Sequence, residues 1–207
     1  MNQELSQRTI NRLTQYHTIL REYTKKEINN VTSAQISSFL KIDETQVRKD
    51  IKSINCKGKC KVGYSVFELK NTIEEVLDYK TTKRAFVIGA GNLGIALSKY
   101  SKFSEFGLDI VALFDVDKNK IGSKIDNKEV YDLALIKDKI QEFNVNIAIL
   151  TIPNKVAQNV ANDIIEAGIR YIWNFAPSIL TVPDYVEVWH ENLIGSFLQF
   201  CAISKIK

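Results

Sequence analysis

Two sets of residues in this chain of 207 have the types and spacing to do chemistry. The first is Gly89-Ala90-Gly91-Asn92-Leu93-Gly94, a G-x-G-x-x-G run between the apolar stretch RAFVI and the segment LGIALSKY. After a strand and at the head of a helix, such glycines suit a dinucleotide. The first allows a tight turn, the second lets the backbone approach a pyrophosphate, and the third brings helix and strand together. The helix amides then face the phosphates. Asp115 follows 21 residues after Gly94, where a carboxylate would accept hydrogen bonds from the adenine ribose hydroxyls and disfavour the 2′-phosphate of NADP. A tight turn that binds nothing is the competing reading, and the acid at that distance weighs against it.

The second set is a concentration of positive charge. Between Thr45 and Lys61 stand Arg48, Lys49, Lys52, Lys57, Lys59 and Lys61 against one acid, Asp50. Residues 1–80 hold 14 Lys/Arg and 10 Asp/Glu, while residues 81–207 hold 14 of each, so the net charge of +4 arises in the first 80. A patch of this kind suits a polyanion, because neutralising phosphates releases condensed counterions. A solvated, lysine-rich face is the plainer alternative.

Other chemistry finds less support. Hydride transfer needs a general acid or base oriented by a second group. Of the two histidines, His17 lies in the N-terminal helix region and His190 precedes Glu191 in VEVWHENL, where strand neighbours point to opposite faces. No catalytic residue is assigned. Cys56, Cys60 and Cys201 are too few for a disulfide framework, and a C-x3-C without a nearby histidine lacks the usual partners of zinc, so no metal is expected. The basic neighbours of Cys56 and Cys60 are expected to lower their pKa values. No apolar run approaches the roughly 20 residues of a membrane span, and the start MNQELSQRTINRL is polar. A soluble, cytoplasmic protein without a membrane partner is expected.

The elements that must position these residues follow from periodicity. Leu5, Ile10, Leu13, Tyr16, Ile19, Leu20 and Tyr23 mark one face of a helix over residues 4–24. Thr32 with Gln35, and Asp43 with Gln46, fit capping boxes that start helices near Ser33 and Glu44. Two short helices with a tight connection make a helix-turn-helix, and the Gly/Lys stretch 56–61 with the β-prone run 62–67 makes a wing. A helix over 68–79 and the polar TTKR place a domain boundary near residue 80. Beyond it, strands 84–89, 109–114, 146–151 and 171–174 alternate with helices 92–103, 133–143 and 155–167. That alternation implies a parallel sheet covered on both faces.

The landmarks QVRKDI (46–51), VGY (62–64), GAGNLGIAL (89–97), FDVDKNKIG (114–122), AILTIP (148–153) and NFAP (174–177) give the chain its resemblance to the Rex family of redox-sensing transcriptional repressors. The resemblance implies an α/β protein with a winged-helix DNA-binding domain (1–80), a doubly wound parallel Rossmann domain for NADH or NAD+ (81–192) and a C-terminal dimerisation helix (193–207). It implies a homodimer on palindromic double-stranded operator DNA, released when the NADH/NAD+ ratio rises. Together with the basic patch it makes Ser33, Thr45, Gln46, Arg48, Lys49 and Lys52 candidate DNA contacts, joined by Lys57, Lys59, Lys61 and Tyr64 of the wing. Gly89, Ala90, Gly91, Asn92, Leu93, Gly94 and Asp115 would hold the ADP half. Thr151, Ile152, Pro153, Asn174, Phe175, Ala176 and Pro177 would line the nicotinamide end, with Tyr100 beside it.

The run LIGSFLQFCAI (193–203) looks like the swapped helix of that family, and a helix so apolar needs burial somewhere. Packing on its own domain is the alternative. Two departures stand out. Where the family has Arg-Gly-Val-Gly-Tyr in the wing, this chain has Cys60-Lys61-Val62-Gly63-Tyr64, so a minor-groove arginine is replaced by a thiol. Where some members pair an arginine of the first helix with an aspartate near the last, the chain offers Thr18 and Glu191, followed by Asn192 in place of a frequent aromatic. A paralogue that binds DNA without sensing NADH, and an NAD-dependent oxidoreductase, are therefore kept as further readings.

Overall fold

A computed structural model describes residues 5–204 and divides into two units, Met1–Thr81 and Thr82–Lys207. In the first unit the apolar side of α1 (Gln7–Lys25) meets α4 (Val66–Val76), and Leu13, Tyr16, Leu20, Leu69 and Ile73 share one core. Between them run β1 (Asn30–Val31), α2 (Ser33–Leu40), α3 (Glu44–Ser53) and β2 (Tyr64–Ser65), with β1 and β2 antiparallel. The capping box of α2 forms in full, Thr32 accepting from the Gln35 amide and Gln35 accepting from the Thr32 amide.

At α3 the box is only half made. Asp43 accepts from the amides of Thr45 and Gln46, but the Gln46 side chain turns forward to Asp50. A buried carboxylate one turn on is the stronger acceptor. The expected strand 62–67 also shortens, because Ser65 caps α4 through the Glu68 amide and Val66 and Phe67 become its first turn. The wing is then a tight hairpin closed by Lys59 and Gly63, whose amides and carbonyls exchange bonds of 2.7 and 2.9 Å.

The second unit is a seven-stranded sheet in the order β5-β6-β4-β3-β7-β8-β9. Its strands are β3 (Lys83–Ile88), β4 (Leu108–Asp115), β5 (Lys124–Ile125), β6 (Lys128–Asp132), β7 (Ile147–Leu150), β8 (Tyr171–Asn174) and β9 (Glu187–His190). All pairs are parallel except β5 with β6. The central strands are buried on both faces, as the unbroken apolar runs FVI and AIL require.

From β3 the chain builds outward through β4 to β6, then crosses back to β7 and builds the other way. That reversal is a topological switch point, and ligands of open α/β sheets bind outside the strand ends there. The helix expected over 92–103 is two pieces, α5 (Asn92–Ser98) and α6 (Lys102–Glu105). Ser98 and Ser104 each donate to the carbonyl three residues back, the local competition by which serine bends or ends helices. A 3-10 turn (Leu133–Leu135), α7 (Ile136–Phe143) and α8 (Asn154–Ala167) complete the layers. The last element, α9 (Leu193–Ser204), buries none of its residues: Leu193, Phe197, Leu198 and Ile203 are 60 to 82% exposed.

Candidate functional site

In the first unit, α3 is held from below and open above. Val47 and Ile51 are fully buried, and Asp50 beside them is 2% exposed. Asp50 accepts from Arg12 Nε (2.6 Å) and Nη2 (2.7 Å), Tyr16 Oη (2.7 Å) and Gln46 Nε2 (2.8 Å). Burial acts to raise its pKa, but these four donors outweigh it and hold the carboxyl below its ordinary value. The ion pair fixes the helix to α1 with one face turned outward.

At about 100° per residue that outward face carries Thr45, Arg48, Lys49 and Lys52, all exposed. Lys57, Lys59, Lys61 and Cys60 are exposed around the hairpin. Three candidate residues sit otherwise. Ser33 is 8% exposed and its hydroxyl lies between Glu44 and Arg48, so it ties α2 to α3 instead of facing out. Gln46 spends an amide hydrogen on Asp50. Tyr64 is half-buried, and burial raises its pKa. The expected activation of Cys56 fails as well, since burial pushes its thiol upward and the Thr72 hydroxyl only partly opposes it.

In the second unit a cavity of about 620 Å³ opens at the ends of β3, β4 and β7. Of the candidates, Gly89, Gly91, Asp115, Thr151, Ile152 and Pro153 line it. The glycines divide their work as the motif requires. Gly89 takes φ +102°, a Cβ on Gly94 would strike the Gly89 carbonyl and Thr151 Oγ1, and a Cβ on Gly91 would meet nothing within 4 Å. Gly91 caps α5 with no side-chain hydrogen bond to its amides. The loop therefore presents bare backbone to the cavity.

Asp115 is already engaged. It accepts from the amides of Ala90 (2.8 Å), Val116 (2.8 Å) and Asp117 (2.9 Å) and from Lys120 Nζ (3.0 Å). Burial acts to raise its pKa, and these donors together bring it below the ordinary carboxylate value. Sequence reasoning missed Lys120, although it stands only five residues on. It also missed the apolar wall of Val116, Leu133, Val156 and Val160, which carries no motif and is gathered from three elements.

Thr151 Oγ1 donates to the carbonyls of Ile88 (3.1 Å) and Gly89 (2.9 Å), bracing the glycine loop. Ala90, Asn92, Leu93, Gly94, Tyr100 and Asn174 to Pro177 do not line this cavity. Asn174 is fully buried and organises its own loop, donating to Ser178 O (2.8 Å) and accepting from the Ala176 amide (3.0 Å). Tyr100 is 52% exposed and meets Phe103 edge-on.

His190 and Glu191 part company. His190 Nδ1 faces the Asn174 amide at 3.1 Å, whereas Glu191 accepts from the indoles of Trp173 (2.9 Å) and Trp189 (3.1 Å). Asn192 precedes α9 and caps it, its Oδ1 accepting from the Gly195 amide at 2.7 Å.

Comparison with known proteins joins the two units. Residues 80–178 match the family model described as "CoA binding domain", and residues 4–51 match "Putative DNA-binding protein N-terminus". The redox-sensing transcriptional repressor Rex of Treponema denticola is 42% identical over 199 residues, covering 96% of this chain and 95% of that protein. The chain belongs to the Rex family of redox-sensing transcriptional repressors. The Rex repressor of Clostridium beijerinckii is 36% identical, with 95% and 93% covered. A solved Rex-family repressor, RSP, in complex with NAD+ and operator DNA superposes with a TM-score of 0.91 at 33% identity, covering 98% of this chain and 94% of that one. Its NADH complex gives 0.88. Rex membership makes the chain a regulator, not an enzyme, and establishes the N-terminal DNA-binding domain with a Rossmann-like domain after it. No helix among the described residues is long and apolar enough to cross a membrane.

Proposed function

We propose that the chain is a cytoplasmic, homodimeric repressor that binds palindromic duplex operator DNA and is released from it by NADH more readily than by NAD+. The observation that carries the reading is the cavity at the switch point of the sheet, with Gly91 bare toward it and the ionised Asp115 on its rim. NADH or NAD+ would lay its pyrophosphate along the Gly89–Gly94 loop and its ribose beside Asp115 and Lys120. Val116, Leu133, Val156 and Val160 give the adenine an apolar slot. The reduced and oxidised nicotinamide rings differ by a hydride and a positive charge, so the discriminating contacts belong at the far end, toward Thr151–Pro153 and the Asn174–Pro177 loop.

DNA would meet the exposed row Thr45, Arg48, Lys49 and Lys52, with Lys57, Lys59 and Lys61 following the wing. The domains serving these roles are residues 1–80 and 81–192, and residues 193–207 form the dimerisation element, since α9 exposes Phe197, Leu198 and Ile203 together. Electrophoretic shift with Arg48→Ala/Lys49→Ala should show loss of operator binding without loss of fold. Calorimetry with NADH should show one site per chain. Wild-type DNA affinity in the double variant, or no heat with NADH, would sink the corresponding half.

A second reading, DNA binding without NADH coupling, has its own observation. Thr18 spends its hydroxyl on the Thr14 carbonyl and Glu191 is taken up by the indoles of Trp173 and Trp189, so the expected charged switch lacks its cation and its acid is engaged elsewhere. A ligand shifts an equilibrium only by its differential affinity for the two states. Operator release, measured directly, separates the readings.

A further inference from the structure

The outward face of α3 carries a clamp on its arginine. Glu44 Oε1 accepts from Arg48 Nη2 at 2.5 Å and from Ser33 Oγ at 2.8 Å, and Arg48 Nε donates to Ser33 Oγ at 3.2 Å. The three side chains close a triangle between α2 and α3. Ser33 is 8% exposed, while the Arg48 side chain remains 60% exposed. The guanidinium is thus anchored at one edge and open at the other.

Which edge is taken matters. A guanidinium has five N–H donors in a rigid plane. The clamp uses Nε and one hydrogen of Nη2, which leaves Nη1 and the second Nη2 hydrogen as a free end-on pair. Two parallel N–H groups of this kind match O6 and N7 of guanine in the major groove. We infer that Glu44 is a specificity-determining residue: it positions Arg48, with Ser33, so that the end-on fork reads a guanine and is held back from the phosphate backbone. The inference rests on the DNA-binding reading above and assigns Glu44 no contact with DNA.

The charge needed for this is present. The hydrogen bonds from Ser33 and Arg48 hold the Glu44 carboxyl below its ordinary pKa, so it is ionised at neutral pH. An arginine freed of the clamp would lie along any phosphate it could reach, adding affinity that carries no sequence information. Lys49 and Lys52, neighbours on the same face, are flexible point charges suited to that general role. Base discrimination should therefore follow residues 44 and 48 together, and overall affinity should follow 49 and 52.

The test is selection of a randomised duplex library by full-length wild type, Glu44→Gln, Glu44→Ala, Arg48→Ala and Lys49→Ala, each checked for a wild-type thermal melt. Wild type should enrich a palindrome with one fixed G·C pair in each half-site that Arg48→Ala no longer selects. At that pair, both Glu44 variants should lose at least about fivefold of the discrimination against A·T, while their affinity for the unselected library holds or rises. Lys49→Ala should enrich the wild-type motif with weaker binding throughout.

A purely structural role for Glu44 would weaken all sequences alike and leave the ratio unmoved. Wild-type discrimination in Glu44→Gln and Glu44→Ala, with Arg48→Ala defective, would overturn the inference and leave the DNA-binding reading standing. Enrichment of nothing by wild type would overturn both.

Discussion

Substituting the second and third glycines of the loop separates ligand space from fold. Gly91 has φ −86° and ψ −175°, extended backbone open to any residue, and its Cβ position is empty to 4 Å. Gly91→Val should therefore fold normally, and the loss of glycine's unfolded-state freedom is worth about 0.4–1 kcal/mol in its favour. Its two methyl groups would occupy the space through which a pyrophosphate reaches the loop amides. Calorimetry should register at least a hundredfold loss of NADH affinity, about 2.7 kcal/mol.

Gly94→Ala behaves in the opposite sense. Its single methyl collides with the Gly89 carbonyl and Thr151 Oγ1, and backbone cannot swing aside as a side chain can. Overpacking of this kind costs about 1–3 kcal/mol, which lowers the melting temperature of a domain this size by about 2–4 °C per kcal/mol. Circular dichroism melts and NADH titrations on both variants give four numbers. Wild-type NADH affinity in Gly91→Val, or a melt of Gly94→Ala at or above wild type, would refute the assignment of these two roles.

Three further outcomes are expected. Asp50 has a folded-state pKa below its unfolded value of about 3.9, so its ion pair stabilises the first unit fully above that pH and the contribution is lost as pH falls through the folded value. Asp50→Asn should cost about 3 kcal/mol at neutral pH and flatten the acid limb of the unfolding curve; an unchanged curve between pH 2 and 5 would contradict it. In the folded protein, iodoacetamide should modify the exposed Cys60 well before the half-buried Cys56, whose thiol is pushed up by burial, and mass spectrometry showing equal rates would count against the placement of these thiols. Phe197→Asp/Leu198→Asp on α9 should shift light scattering from dimer to monomer, and an intact dimer would remove that helix from the interface.

Much of this was legible in the sequence because the signals were local. Thr32 with Gln35 located α2, and the glycine motif with Asp115 located the cavity, because backbone geometry at those points admits few residue types. Long-range partners were not legible. Nothing in the string says that Asp50, one acid among lysines, is buried under Arg12 and Tyr16 and draws Gln46 away from its capping box. Nor does it say that Ser33 is sealed by Glu44 and Arg48, or that Asp115 arrives already saturated by three amides and Lys120. The expectation for Cys56 failed for the same reason: neighbouring lysines in sequence were read as neighbours in space, and burial reversed the sign. Strands β5 and β9 at the sheet edges, and β6 beside one of them, escaped because they lack the unbroken apolar run that marks a central strand.

The central claim is that nucleotide and operator are linked through one protein. Its most direct test is fluorescence anisotropy of the enriched palindrome bound to the wild-type dimer at fixed salt, titrated with NADH and, separately, with NAD+. Salt is fixed because phosphate contacts make affinity salt-dependent. Saturating NADH should weaken operator binding at least about tenfold, a coupling of about 1.4 kcal/mol, and NAD+ should weaken it far less. Operator affinity unmoved by saturating NADH, at concentrations where calorimetry shows the site filled, would contradict the claim.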